Sequence, residues 1–198
     1  PVGAVACALL LLLSSGPTAA WRHSPIGAGR TQLIGLNRNG IESWMRSVRR
    51  TTVWSAEGRE VSLGLSASDG LAFVLNGKVD GNAKYDAPTQ VMLGMVGAIL
   101  HPGPKTAMVI GMGTGSSAGW LAEIESIKRV DVSEIEPDVL EVARRCAPVN
   151  RNVLKNPKVK TILADAREVL LTSRQQYDLI VSEPSNPYRA GVASLYTR

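Results

Sequence analysis

The chain has 198 residues and a net charge of +5; it is 44% hydrophobic, 20% charged and only 5% aromatic. That size fits one domain with a short appendage, and that apolar share excludes a wholly disordered chain. Scarce aromatics argue against base stacking, and two distant cysteines, Cys7 and Cys146, with only His23 and His101 for company exclude a disulfide framework and a soft-ligand metal site.

The basic excess is local. Residues 21–60 hold seven Arg against three acids, whereas residues 61–198 carry fifteen basic and fourteen acidic residues. The excess follows the most hydrophobic stretch, residues 2–13, which fits the positive-inside rule better than a nucleic-acid-binding face. No nucleic-acid partner is expected. Twelve apolar residues fall short of the roughly 20 that cross a bilayer. The chain begins at Pro1, and residues 1–20 read as the last part of a transmembrane helix, with Trp21 and Arg22 as interfacial anchors. A signal-peptide core would need a basic start, and the arginines that follow would oppose export. A buried soluble helix is the plain alternative. Membrane attachment through this segment is therefore expected, with the rest of the chain on the cytoplasmic side.

Residues 21–50 read as a basic linker with one short helix around 41–48. Short β-prone runs follow at 51–55, 61–65 and 71–75, separated by Glu57-Gly58 and Ser68-Asp69-Gly70, and Asn76-Gly77 closes the third with a tight turn. Residues 51–86 are thus expected to form a small antiparallel β-domain.

From residue 87 the periods alternate. Helices are expected at 88–100, 116–126, 137–146 and 166–173, and strands at 106–110, 129–133, 159–163 and 177–182. Near-continuous apolar strands between helices imply a parallel sheet with helices on both faces, so residues 87–198 read as a doubly wound, Rossmann-like α/β domain.

The first of these strands runs into Gly111-Met112-Gly113-Thr114-Gly115. Such a turn lets backbone approach a ligand and points helix N–H groups at it. It is not a P-loop, since no Lys-Ser or Lys-Thr follows, and its GxGxG spacing departs from the dinucleotide fingerprint. Glu134 ends the second strand twenty-three residues after Gly111, where an acid can meet ribose hydroxyls. Asp165, followed by Ala166, ends the third strand, where a carboxylate can reach an adenine amino group. Glu183 ends the fourth. Each acid alone has a plainer reading as an N-cap or solvated residue; together they mark the carboxyl edge where open α/β sheets bind ligands.

The glycine turn, Glu134-Ile135-Glu136-Pro137, Ala164-Asp165-Ala166 and Tyr177 to Pro187 resemble the class I S-adenosylmethionine-dependent fold. With Leu75-Asn76-Gly77, Gln90 and His101 to Lys105, the chain resembles more narrowly the polyamine aminopropyltransferases, the spermidine synthase family. The form Ser182-Glu183-Pro184-Ser185-Asn186-Pro187 with Gly191-Val192 and Leu195-Tyr196-Thr197 is similar to its membrane-fused bacterial members. The resemblance implies decarboxylated S-adenosylmethionine as co-substrate, no metal, a small polyamine acceptor such as putrescine, and a homodimer. It implies that Gly111, Gly113 and Gly115 wrap the nucleoside, Glu134 holds the ribose, Asp165 and Ala166 the adenine, and Gln90 the aminopropyl donor, with Glu183 in the place of the catalytic Asp. It also implies further strands after the fourth, so the chain looks truncated at both ends.

The substrate side departs from the family pattern. Thr114 stands where an Asp meets the donor's amine, Asn186 where a second Asp binds the diamine, and Thr89 where a Tyr is usual; Glu183 is one methylene longer than Asp. An ordinary S-adenosylmethionine-dependent methyltransferase, favoured by Thr114, and a non-catalytic nucleoside- or polyamine-binding module therefore stay open beside the aminopropyltransferase.

Overall fold

The computed structural model describes residues 2–13, 20–24, 38–68 and 70–183. Helix α1 (Val2–Leu13) is a run of apolar residues. At 1.5 Å per residue it covers roughly 18 Å, against roughly 30 Å of bilayer hydrocarbon. Among the described residues no helix is long and apolar enough to cross a membrane. Helix α2 (Ala20–His23) is a single turn, and α3 (Arg38–Thr51) is longer at both ends than the helix expected at 41–48. Its final turn closes where the Thr51 hydroxyl donates back to the Ser47 carbonyl at 3.1 Å.

The β-domain is a four-stranded antiparallel sheet in the order β1 (Thr52–Glu57), β2 (Ser62–Ser66), β3 (Ala72–Leu75) and β4 (Lys78–Asn82). Three strands were legible as β-prone runs; β4, with Lys, Asp, Gly and Asn among its five residues, was not. Its pairing is dictated by the preceding turn, where Asn76 and Gly77 both adopt positive φ, the requirement of a tight type I′ hairpin. The supposed linker also begins inside the fold. His23 is buried against β2, its Nδ1 donating to the Leu63 carbonyl at 2.7 Å and its Nε2 lying 3.2 Å from Glu57, while the Gly77 N–H donates to the Arg22 carbonyl at 2.8 Å.

An Asx turn then joins the sheet to helix α4 (Ala87–Leu100). Asn82 Oδ1 accepts from the N–H groups of Lys84 and Tyr85, and Asp86 Oδ2 accepts from the N–H of Asn82 at 2.7 Å. The short loop leaves β4 and the start of α4 little freedom to move apart.

The α/β half carries a second sheet, wholly parallel, in the order β7 (Val159–Leu163), β6 (Arg129–Glu134), β5 (Thr106–Ile110) and β8 (Leu179–Ser182). Helix α5 (Ser116–Ala122) connects β5 to β6, α6 (Val139–Arg145) and a 3₁₀ turn (Val153–Lys155) connect β6 to β7, and α7 (Ala166–Thr172) connects β7 to β8. The direction of winding reverses between β7 and β8, so right-handed crossovers put α7 on the face opposite α5 and α6. The reversal leaves a crevice at the carboxyl ends of β5 and β8, where such sheets bind ligands.

Some boundaries differ from the sequence reading for local reasons. Helix α5 stops four residues early because residues 123–127 tighten into i→i+3 bonds that bring Ile127 fully into the core. Strand β8 starts two residues late because Tyr177 and Asp178 are anchors instead: the Tyr177 hydroxyl donates to the buried Asp131 at 2.7 Å, and Asp178 Oδ2 accepts from the N–H groups of Lys105 and Thr106. Burial and the bond to Asp131 push the Tyr177 phenol up to about 12. Leu63, Leu65 and Phe73 of the small sheet and Val109, Val130 and Val132 of the parallel sheet belong to one apolar cluster, so the two halves share a core.

Helices α4 and α5 touch backbone to backbone. A Cβ at Gly94 would lie 2.4 Å from the Ser117 carbonyl oxygen, and the Ser117 hydroxyl donates to the Gln90 carbonyl at 2.8 Å. Gly94→Ala is expected to cost about 1–3 kcal/mol by forcing the helices apart, read as a lower urea midpoint. An unchanged midpoint would show that α4 backs away freely.

Candidate active site

The site is built on the turn after β5. Gly111, Gly113 and Gly115 all adopt positive φ, and a Cβ at Gly111 or Gly113 would meet open space. Both positions therefore front a cavity, and glycine is needed there for backbone conformation. Gly115 is the N-cap of α5 and faces the interior. The turn is braced from behind by Asn150, which is fully buried and donates from Nδ2 to the carbonyls of Thr114 and Ala143, each at 2.7 Å. No sequence signal marks Asn150, since its loop lacks any motif.

Glu134 closes the turn from the side. It is buried, its Oε2 accepting from the Met112 N–H at 2.8 Å and its Oε1 from the Glu136 N–H at 3.0 Å. Two backbone donors hold this carboxylate with little rotamer freedom, and each oxygen keeps a lone pair for a ligand hydroxyl. From α4, the buried Gln90 accepts the Thr114 hydroxyl at 2.6 Å. The Thr114 side chain is thereby spent on positioning Gln90, while its residue still borders the cavity.

Two adjoining cavities occupy the carboxyl edge, of about 110 and 290 Å³. The smaller is bordered by Gln90, Gly111, Gly113, Thr114 and Glu183. The larger is bordered by Glu134, Ile135 and Glu136 on the parallel sheet and by Arg59 and Leu75 on the small one. Phe73 and Asp80 border both. Asp80 was missed by the sequence reading because β4 was missed.

Glu183 sits where the fourth strand delivers it, an exposed residue that borders the smaller cavity. Partial burial of its carboxyl raises it above its ordinary value, and the like charges of Asp86 and Asp80 add to the rise. Asp165 and Ala166 stand apart from both cavities. Asp165 caps α7 by accepting from the Arg167 N–H at 2.8 Å and pairs with the Arg167 guanidinium, which holds its carboxyl below the usual range. Its N-cap role is the plainer of the two readings its position allows. Thr89 is exposed and borders neither cavity, and Asn186 lies outside the described residues.

The spermine/spermidine synthase domain model matches residues 87–198, more than half of the chain. The chain belongs to the spermine/spermidine synthase family. Within that family it is 34% identical over 102 residues to a polyamine aminopropyltransferase of Nitrosomonas europaea, covering 51% of this chain and 31% of that protein. It is 26% identical over 145 residues to the thermospermine synthase ACAULIS5 of Arabidopsis thaliana, covering 73% and 43%. A crystal structure of a spermidine synthase in complex with the transition-state analogue AdoDATO superposes with a TM-score of 0.66 at 21% identity, over 74% of this chain and 51% of that one. The spermidine synthase of Thermotoga maritima gives 0.62 at 21% identity, over 69% and 48%. The chain spans less than half the length of these two curated relatives, and the structural likeness establishes a shared fold.

One further carboxylate organises the larger cavity. Glu136 is buried and its Oε2 accepts from the N–H groups of Arg59 at 2.7 Å and Glu60 at 3.3 Å, tying the β1–β2 turn to the end of β6. Glu136→Ala is expected to cost about 1–3 kcal/mol by leaving those donors unpaired. Hydrogen exchange should locate the loss in the Arg59 and Glu60 amides; unchanged protection there would mean that the turn is held by other contacts.

Proposed function

We propose that this chain carries an aminopropyltransferase site, moving the aminopropyl group of decarboxylated S-adenosylmethionine to putrescine or a related amine. The observation that carries the reading is the set of groups that border two adjoining cavities. A buried, backbone-held Glu134 borders the larger, and glycines without side chains, Gln90 and a carboxylate of raised affinity for protons, Glu183, border the smaller. Family membership and the names of the relatives support it.

Each part has work to do in that reaction. Glu134 would take the ribose hydroxyls, and the glycine turn would let the nucleoside lie against backbone. Gln90, oriented by Thr114, would border the aminopropyl chain. The acceptor's nitrogen lone pair forms a C–N bond to the methylene beside the sulfonium as the C–S bond breaks, and neutral methylthioadenosine leaves. The attacking nitrogen must shed a proton, and Glu183 would accept it. The adenine-binding role of Asp165 with Ala166 is part of the same proposal, as are amine binding by Asn186 and a homodimeric assembly.

We also propose attachment to a membrane through the N-terminal segment, with the domain on the cytoplasmic side. Helix α1 is apolar and exposed at every described side chain, and the exposed Arg46, Arg49 and Arg50 of α3 lie close behind it in the chain. Such an order suits an anionic inner membrane face.

The testing experiment supplies the purified protein with decarboxylated S-adenosylmethionine and putrescine and follows methylthioadenosine release. Glu183→Gln is expected to lower turnover by about 10²–10⁴-fold, the range for losing a positioned base. Methyl transfer from ordinary S-adenosylmethionine instead would make the chain a methyltransferase, and binding without turnover of either donor would make it a binding module.

The pH profile adds a second check. A base must be ionised to act, so a raised Glu183 carboxyl puts the acid limb of kcat/KM above the ordinary glutamate range. Activity should be lost as pH falls through that limb. Asp86→Asn removes one like charge but keeps an acceptor for the Asn82 N–H, and should move the limb to lower pH. A limb that stays put would place the titrating group elsewhere.

A further inference from the structure

We infer that Asp80 reads the charge at the reacting sulfur and so distinguishes a cationic sulfonium donor from the neutral thioether product. The inference rests on the aminopropyl-donor reading above, and it concerns a residue that the family pattern did not mark. Asp80 and Phe73 are the two residues that border both cavities. A donor with its ribose at Glu134 and its aminopropyl chain running past Gln90 toward Glu183 has its sulfur at that shared wall. Of the two residues there, Phe73 is apolar and Asp80 is charged.

The local structure keeps Asp80 in place. It projects from β4, whose register is set by the Asn76-Gly77 hairpin, and the Asx turn that follows ties β4 to α4. Its side chain is only 14% exposed, and Lys78, two residues along the same strand, donates to Oδ1 at 3.3 Å. Its neighbour Gly81 lets the strand pass close to Gln90: a Cβ there would lie 3.0 Å from Gln90 Nε2. The field of Asp80 also reaches across the cavity to Glu183, whose carboxyl it helps to raise.

The chemistry gives the position a purpose. During transfer the positive charge leaves sulfur and appears on nitrogen. A carboxylate beside the sulfur strengthens binding of the charged donor and has no such hold on the thioether, so product dissociates more readily than donor. Thr114 is neutral, and the carboxylates that border the smaller cavity are Asp80 of β4 and Glu183 just after β8.

The test is a calorimetric titration of the wild-type protein, Asp80→Asn and Asp80→Glu with decarboxylated S-adenosylmethionine, with methylthioadenosine, and with decarboxylated S-adenosylhomocysteine, the neutral thioether that keeps the donor's ammonium. Asp80→Asn should weaken the sulfonium ligand tenfold or more and change methylthioadenosine binding by less than twofold; Asp80→Glu should recover much of the difference. Binding of decarboxylated S-adenosylhomocysteine should change as little as that of methylthioadenosine; weakening as large as the donor's would put Asp80 on the amine and overturn its role at sulfur. Retained methylthioadenosine binding shows that the variant is folded. Equal weakening of donor and methylthioadenosine, or no change in either, overturns the role of Asp80 while the donor reading stands. Failure of the wild-type protein to bind any of the three ligands overturns the donor reading, and this inference with it.

Discussion

Glu134 carries the negative end of β6 into the interior and accepts the Met112 and Glu136 N–H groups there. A buried carboxylate is tolerated only with such donors, so the two bonds are a condition of its burial. They join the glycine turn after β5 to the chain leaving β6. Asn150 braces the same turn from the opposite side through Thr114 and Ala143. Gln90 and the Thr114 hydroxyl then follow, since the helix that bears Gln90 is packed against α5 through Gly94. The cleft is a chain of mutually fixed backbone groups, with few side chains left to settle for themselves.

A second consequence follows from the shared core. Because Phe73 of β3 packs in one cluster with Val109 and Val132, the small antiparallel sheet is one wall of the site. Glu136 fastens the opposite corner of that wall through Arg59 and Glu60. The two cavities are therefore walled on one side by the N-terminal sheet, and Asp80 is the charge of that sheet that borders both. In a pocket with limited water, one carboxylate alters the affinity for cations and the proton affinity of its neighbours together. Burial leads the rise in the Glu183 carboxyl, and the like charges of Asp86 and Asp80 add to it.

Motif and period made much of this legible in advance. The parallel sheet, its strand-end acids and the glycine turn were readable because near-continuous apolar runs with sharp polar ends have few other uses, and β5 and β7 fall on the expected residues. Gln90, Gly111, Gly113, Thr114, Glu134 and Glu183 were singled out from the sequence, and the fold brings them to one edge. Asp165 was also read there; in the fold it ends the same strand edge and caps α7 by accepting the Arg167 N–H.

What the sequence determined by itself is local: element type where the hydrophobic period is strong, the positive-φ turns that need glycine or asparagine, and the order of acids along the sheet edge. What only the tertiary structure decided is which groups share a cavity. Strand β4 has weak β-propensity and exists because a hairpin and a neighbouring strand supply its hydrogen bonds. Asp80, Asn150 and Glu136 take their roles from contacts made respectively across the cleft, across thirty-six residues and across seventy-seven. Such contacts leave no periodic trace in the chain, since a buried polar group answers to its partner in space and not to its neighbours in sequence.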